Sequence, residues 1–303
     1  MKGVEALCTA LVDLGVSHVF GLPGSQNAEF FSLLPEKGLR PVLATHELSA
    51  AFMACGFARA SGGIAVLATI PGPGFAYALP GLAEARLDSL PILHLVGTPA
   101  SGEGRFQHQA IDQAGIATPL AKGVVEVRNS SEVRQRLIEA HAMALAGEPG
   151  PVVVHLDPAA LGGETLEPSR QTSQASGTEM GPEENELAEL RQLVRHAKRP
   201  VLFLGGGTLE AGPQVLELVE RLGAPTFTTL TARGVLPETH PCCVSFDSDR
   251  GGLDELNRLL DSSDLVVALG CKMSHNGTAG FRLRLPPDRL VHVNTDPAAL
   301  DAG

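Results

Sequence analysis

The sequence predicts an α/β protein made of two doubly wound parallel-sheet domains. Three observations carry that expectation. Short apolar runs, such as residues 91–96 and 151–156, are continuous rather than alternating, as in strands buried on both faces. Between them lie segments with helical spacing of apolar residues, for example 4–14 and 130–146. The alternation lapses near 162–182, where Ser, Thr, Gln, Glu, Gly and Pro predominate, and then resumes. That lapse marks a surface linker. The expected division is a domain over 1–162, a linker over 163–183, and a second domain over 184–303 that reads as incomplete.

In chain order, Val4, Leu7, Cys8, Leu11 and Val12 form the apolar stripe of a first helix, which Gly15 ends. A strand over 16–20 leads into the tight loop Gly21-Leu-Pro-Gly-Ser25 and a helix to residue 34. The apolar run 42–44 breaks at Thr45-His46-Glu47. Leu48, Ala51, Phe52, Cys55 and Ala58 then share one helix face, until Gly62-Gly63 supplies a stop. A buried strand over 64–70 passes through Pro71-Gly-Pro-Gly74 into a helix over 76–88. The strand 91–96 is followed by a loop over 97–109 rich in Gly, His and polar residues. A turn and strand fill 118–127, a Ser-capped helix spans 130–146, and the strand 151–156 closes the set. In the second half, helices at 184–196, 214–222 and 253–260 alternate with strands at 200–204, 226–230, 265–269 and 290–293.

Composition excludes several function classes. A net charge of −11 without any Lys/Arg cluster argues against nucleic acid, whose phosphates demand clustered cations. No apolar run approaches the ~20 residues of a membrane span, so no membrane partner is expected. The five cysteines are odd in number and lack paired metal-ligand spacing, which points to a reducing, cytoplasmic setting. Cys8 and Cys55 fall on apolar helix faces and read as small buried hydrophobes.

Glu47 draws attention because it stands where a strand hands over to a helix. In parallel α/β sheets, ligands bind at that carboxyl end of the strands. An acid there either caps the helix or does chemistry, and its neighbours decide between the two.

Those neighbours form an ordered set: Val19-Phe-Gly-Leu-Pro-Gly-Ser25, His46-Glu47, Gly56-Phe-Ala-Arg-Ala-Ser-Gly62, Gly72-Pro-Gly74, Asp88-Ser-Leu-Pro91, Phe106-Gln107 and Gly150-Pro-Val-Val-Val154. In this order and at these intervals they resemble the pyrimidine-binding domain of thiamine-diphosphate enzymes, and the acetolactate synthase (acetohydroxyacid synthase) branch in particular. The part from 184 onward resembles, more loosely, the central domain of that family. The resemblance implies a 2-oxoacid decarboxylating carboligase with thiamine diphosphate as cofactor. A glutamate in this family hydrogen-bonds the cofactor's aminopyrimidine and favours the imino tautomer that deprotonates the thiazolium carbon. Glu47 takes that place. The alternatives are a simple 2-oxoacid decarboxylase component and a non-catalytic nucleotide- or flavin-binding subunit.

By the same resemblance, Pro23 and Gly24 form the loop against the pyrimidine, and Pro73 and Gly74 match the family's Ser-Gly-Pro-Gly turn, with Pro71 in place of the Ser. Tyr77 stands where the family has Asn. Ser25 matches a serine near substrate in benzoylformate decarboxylase-like relatives, where synthases have Gly. Phe106 and Gln107 match a Phe-Gln pair near the acceptor substrate, and His108 replaces a Glu. FAD, which acetohydroxyacid synthases hold in the central domain, would here use Gly205, Gly206, Gly207, Thr229 and Leu230. The fingerprint G-x-G-x-x-G is absent. The family's Arg-Phe run stands as Lys272-Met273, and its late acid as Asn294. No Gly-Asp-Gly occurs in the 303 residues. The expectation is therefore that the chain alone is not a complete enzyme. A separate diphosphate-binding domain or subunit would hold the magnesium and diphosphate, in a homodimer or hetero-oligomer.

Overall fold

The structure, a computed structural model, describes residues 1–99, 107–166, 181–245 and 251–300. They fall into two compact units, Met1–Thr178 and Glu179–Gly303. Each is a parallel α/β sheet, as the continuous apolar runs predict.

The first unit comprises α1 (Gly3–Asp13), β1 (His18–Gly21), α2 (Ala28–Leu33), β2 (Arg40–Leu43), α3 (Glu47–Ser61), β3 (Ala65–Thr69), α4 (Pro73–Leu87), β4 (Ile92–Gly97), α5 (Gln113–Ala117), β5 (Gly123–Val127), α6 (Val133–Leu145), β6 (Val152–Leu156) and α7 (Pro158–Gly162). Its strands lie in the order β2-β1-β3-β4-β6-β5, all parallel. One face carries α1, α2 and α6 on a core that includes Leu7, Leu11, Phe30, Phe31 and Leu137. The other carries α3 and α4 on Ala54, Phe75, Leu82, Ile92 and Val153. From β1 the chain steps outward to β2, then crosses back to β3 and continues the other way. The direction of winding therefore reverses between β1 and β3, and the loops leaving those strands part to opposite faces. Such a reversal opens a crevice at the strand ends.

Two expectations about helix faces are corrected. On α1, Val4, Leu7, Cys8 and Leu11 are buried as read, but Val12 is exposed. On α3, Ala51, Cys55 and Ala58 are buried, whereas Leu48 and Phe52 face outward. The cause is close packing of α3 on α4. A Cβ added to Gly81 would sit 2.4 Å from the Ala51 Cβ, and the Cys55 thiol reaches the Gly81 carbonyl at 3.3 Å. Only small side chains fit that seam, so the larger ones turn out. Arg59, near the end of α3, pairs with Asp88 just beyond α4, so two of the sequence signatures serve packing. Burial holds both cysteines of this unit protonated, pushing the Cys8 thiol up to about 12 and the Cys55 thiol up to about 11.

Element boundaries shift in ways local chemistry explains. Helix α4 starts at Pro73 rather than 76, because a proline at the first helical position has its φ preset and no N–H to satisfy. The short α5 lies in 110–117, a stretch to which the sequence reading assigns no element. Asp112 caps it by accepting a hydrogen bond from the Gly115 amide at 2.9 Å.

The second unit comprises α8 (Glu184–His196), β7 (Pro200–Leu204), α9 (Gly212–Leu222), β8 (Thr226–Thr228), α10 (Leu253–Ser262), β9 (Leu265–Leu269), β10 (Leu290–Val293) and α11 (Pro297–Leu300). Its strand order is β10-β9-β7-β8, again all parallel. Phe203 and Phe227 stack at 4.4 Å between ring centres in one core layer, while Val215 and Val219 of α9 pack on the opposite face. Strand β8 stops at Thr228, short of the expected residue 230, and Gly206–Ala211 forms a 3-10 helix. Among the described residues, no helix is long and apolar enough to cross a membrane.

Candidate functional site

The crevice between β1 and β3 collects most of the residues singled out from sequence. Pro23, Gly24 and Ser25 lie in the loop leaving β1. Asn27 shapes it: its Oδ1 accepts from the Gly24 amide at 2.6 Å, and its Nδ2 donates to the Leu22 carbonyl at 3.2 Å. This loop rests on the one leaving β3, because a Cβ on Gly24 would come within 2.5 Å of Ile70 Cγ2. Gly74, in the first turn of α4, faces the other side of the same side chain. Its added Cβ would be 2.5 Å from Ile70 Cγ1 and 3.2 Å from Glu47 Oε1. Glu47, Gly24 and Gly74 therefore meet around Ile70, a residue the sequence did not single out.

Glu47 is the first residue of α3, and its position comes from the cap before it. The His46 backbone is extended, and its Nδ1 accepts from the Leu48 amide at 3.1 Å. The His46 ring lies 5.2 Å from that of Tyr77, one turn along α4 from Gly74. His46, Glu47 and Tyr77 thus share the rim of the crevice. Glu47 is half-buried and Tyr77 is 54% exposed, so the unit by itself does not enclose Glu47.

Gln113 fixes the floor of the site. Its buried side chain accepts from the Gly72 amide at 2.8 Å and donates to the Gly97 carbonyl at 3.1 Å. One amide thereby ties the β3 loop to the end of β4. Gly72 has φ +65°, and a Cβ there would collide with the Gln109 backbone at 2.7 Å. The 107–110 turn consequently packs on the Gly72 turn, which brings Gln107 and the exposed His108 to the same strand ends. Phe106 lies outside the described residues. The sequence signal for Gln113, Gln109 and Ile70 is weak, since each acts through contacts between segments distant in the chain.

The flavin candidates of the second unit behave differently. Gly205 and Gly207 let β7's loop approach β9's loop, not open space. Their Cβ atoms would lie 2.1 Å from the Gly270 carbonyl oxygen and 2.9 Å from the Gly270 Cα, respectively. Their amides are already spent, donating to Leu269 O at 2.8 Å and Gly270 O at 3.1 Å. The amides of those two glycines are therefore not free to donate to a phosphate. Gly206 lies between them. Thr229 is buried, with its hydroxyl 3.0 Å from that of Thr231, and Leu230 is exposed. Asn294 donates to the Cys271 carbonyl at 2.6 Å, a role inside the fold.

Comparison with known proteins gives matches over both units. Residues 1–116 match the thiamine pyrophosphate enzyme N-terminal TPP binding domain, and residues 187–302 the thiamine pyrophosphate enzyme central domain. The large subunit of acetolactate synthase isozyme 1 from Escherichia coli K12 is 33% identical, over 98% of this chain and 53% of its own length. An acetolactate synthase from Mycobacterium bovis is 32% identical, over 99% of this chain and 49% of its own. The chain thus spans about half the length of the curated relatives it matches. A solved chain described as a thiamin diphosphate-dependent enzyme from Mycobacterium smegmatis has the same fold, with a TM-score of 0.82 at 24% identity. That match covers 100% of this chain and 59% of the other.

Proposed function

Because the chain belongs to the thiamine pyrophosphate enzymes, through both their N-terminal and central domains, we propose that it forms the pyrimidine-binding part of an acetolactate synthase-like 2-oxoacid carboligase, with Glu47 as the activating acid. The observation that carries this reading is the approach of Glu47 Oε1 to Gly74, beside the Gly24–Ile70 contact at the strand ends. The cradle suits a flat ring. Two glycines, whose added methyl groups would clash with Ile70, leave an apolar floor next to one acidic oxygen.

Pro23, Gly24, Pro73 and Gly74 would hold the pyrimidine end of thiamine diphosphate, with Glu47 reaching a ring nitrogen and Tyr77 at its edge. When bound, that cofactor supplies a nucleophilic carbon and an electron sink for cleavage beside a 2-oxoacid carbonyl. The chain's own work is to orient the ring, exclude water and hold a proton at the Glu47 carboxyl. Ser25, Phe106, Gln107 and His108 would border the substrate.

Half-exposed Glu47 needs a covering surface before the site is dry. Leu48, Phe52 and Met53 of α3, with Tyr77 of α4, leave apolar surface beside it. A diphosphate-binding domain, from this or another polypeptide, would cover that surface and contribute magnesium. A second copy of the chain would pair alongside.

Two measurements test this. Combined with a diphosphate-binding domain carrying Gly-Asp-Gly, the chain should convert pyruvate, as sole substrate, to acetolactate. Acetaldehyde as the only product would replace carboligation with decarboxylation, and absence of turnover would remove the enzyme reading. The chain alone should bind thiamine diphosphate and magnesium no more tightly than about millimolar, some ~4 kcal/mol. Submicromolar binding would overturn the division of the site between domains.

A further inference from the structure

Beneath α4, two histidines are buried on the same side of the sheet. His94 of β4 and His155 of β6 are 0% and 2% exposed. They stand diagonally in register, His94 opposite Val153 and His155 opposite Val96. Phe75 covers both, nearly parallel to the His94 ring at 5.5 Å and edge-on to the His155 ring at 6.4 Å.

Each ring has one nitrogen engaged. His94 Nε2 lies 2.8 Å from Thr69 Oγ1, and His155 Nδ1 lies 2.9 Å from Glu126 Oε1. The other nitrogens, His94 Nδ1 and His155 Nε2, are buried without a partner among the described residues. Two such atoms on neighbouring strands are costly unless something joins them.

Their proton assignments are complementary. A carboxylate only accepts, so a proton sits on His155 Nδ1 toward Glu126, and a ring carrying that one proton offers Nε2 as an acceptor. The Thr69 hydroxyl has no other acceptor among the described residues, so it donates to His94 Nε2. Burial drives the His94 pKa down to about 3, so the ring is neutral and its remaining proton is on Nδ1. A donor without an acceptor and an acceptor without a donor are therefore buried on neighbouring strands, beneath the same Phe75 ring.

We infer that His94 and His155 bind one buried water between them, which accepts from His94 Nδ1–H and donates to His155 Nε2. The result is a single chain of hydrogen bonds, all donated in one sense, from Thr69 through His94, the water and His155 to Glu126. It spans β3, β4, β6 and β5 at the level from which the Ile70–Gly74 turn departs. The two histidines are positioning residues for that turn. The inference rests on the packing of this unit alone and stands whether or not the proposed activity does.

Nitrogen-15 NMR of the full chain with labelled histidine tests it first. Both rings should be Nδ1–H tautomers, and the His94 ring proton should exchange slowly and show contact with a long-lived water. An Nε2–H tautomer at His94, or no water contact at either ring, overturns the proposal. Denaturant unfolding of His94→Leu, His155→Leu and the double variant supplies the second arm. With a shared water, each single change strands the opposite nitrogen, so both singles unfold at lower denaturant and the double loses less than their sum. If the rings are independent, each change only removes an unpaired nitrogen, and the effects add. Strict additivity therefore overturns the proposal as well.

Discussion

The two units place glycines at the same topological position, the strand ends where winding reverses, and use them in opposite ways. In the first unit Gly24 and Gly74 border an isoleucine side chain and one oxygen of Glu47. In the second, Gly205 and Gly207 press against the backbone of Gly270, and their amides are consumed by β9's loop. A glycine-rich turn after a strand therefore signals close approach, but the approaching group can be a ligand or another strand. Gly24 and Gly74 in the first unit meet side chains only. Gly205 and Gly207 in the second unit are committed to the fold.

The largest effect that would sharpen this contrast belongs to Glu47. Glu47→Gln, in the assembled enzyme, should lower carboligation by roughly 10²–10⁴-fold while leaving the unfolding midpoint unchanged. Full activity would remove Glu47 from the chemistry. Next comes Gly205→Ala, whose new methyl meets backbone that cannot step aside. It should destabilise the second unit by about 1–3 kcal/mol, read from denaturant unfolding. Gly24→Ala meets the Cγ2 methyl of Ile70, a side chain rather than backbone, so its loss of stability should be smaller, with the damage appearing in cofactor affinity. Equal stability losses at the two positions would break the comparison.

Gln113→Ala should cost about 1–3 kcal/mol, since it leaves the Gly72 amide and Gly97 carbonyl without their joint partner. Hydrogen exchange at Gly72 would speed up in that variant. The smallest effect is expected from Tyr77→Phe, because the ring is exposed and packs beside His46 whether or not the hydroxyl is present. An unchanged melting curve with weaker cofactor binding would assign a contact to the hydroxyl.

Much of this was legible from the residues. Continuous apolar runs gave away the parallel sheets, and the Thr45-His46-Glu47 break located the junction that carries the acid. What remained hidden depended on pairs distant in sequence. Periodicity placed Leu48 and Phe52 inside, but the tight Ala51–Gly81 contact admits only small side chains and turns them out. Gln113, which no motif singled out, joins the ends of β3 and β4. Nor could composition tell that Gly205 and Gly207 face Gly270, because only the β7–β9 pairing brings those loops together.

The Ala51–Gly81 contact also works as a fulcrum. It lies four residues along α3 from Glu47, about 6 Å of helix, and seven along α4 from Gly74, about 10 Å. A methyl added at Gly81 would push the helices apart there and tilt them about that point. Leverage would then carry a displacement to the Glu47–Gly74 gap without any change in the crevice itself. The alignment of the acid is thus set from a distance, at a place where no substrate or cofactor need ever touch the chain.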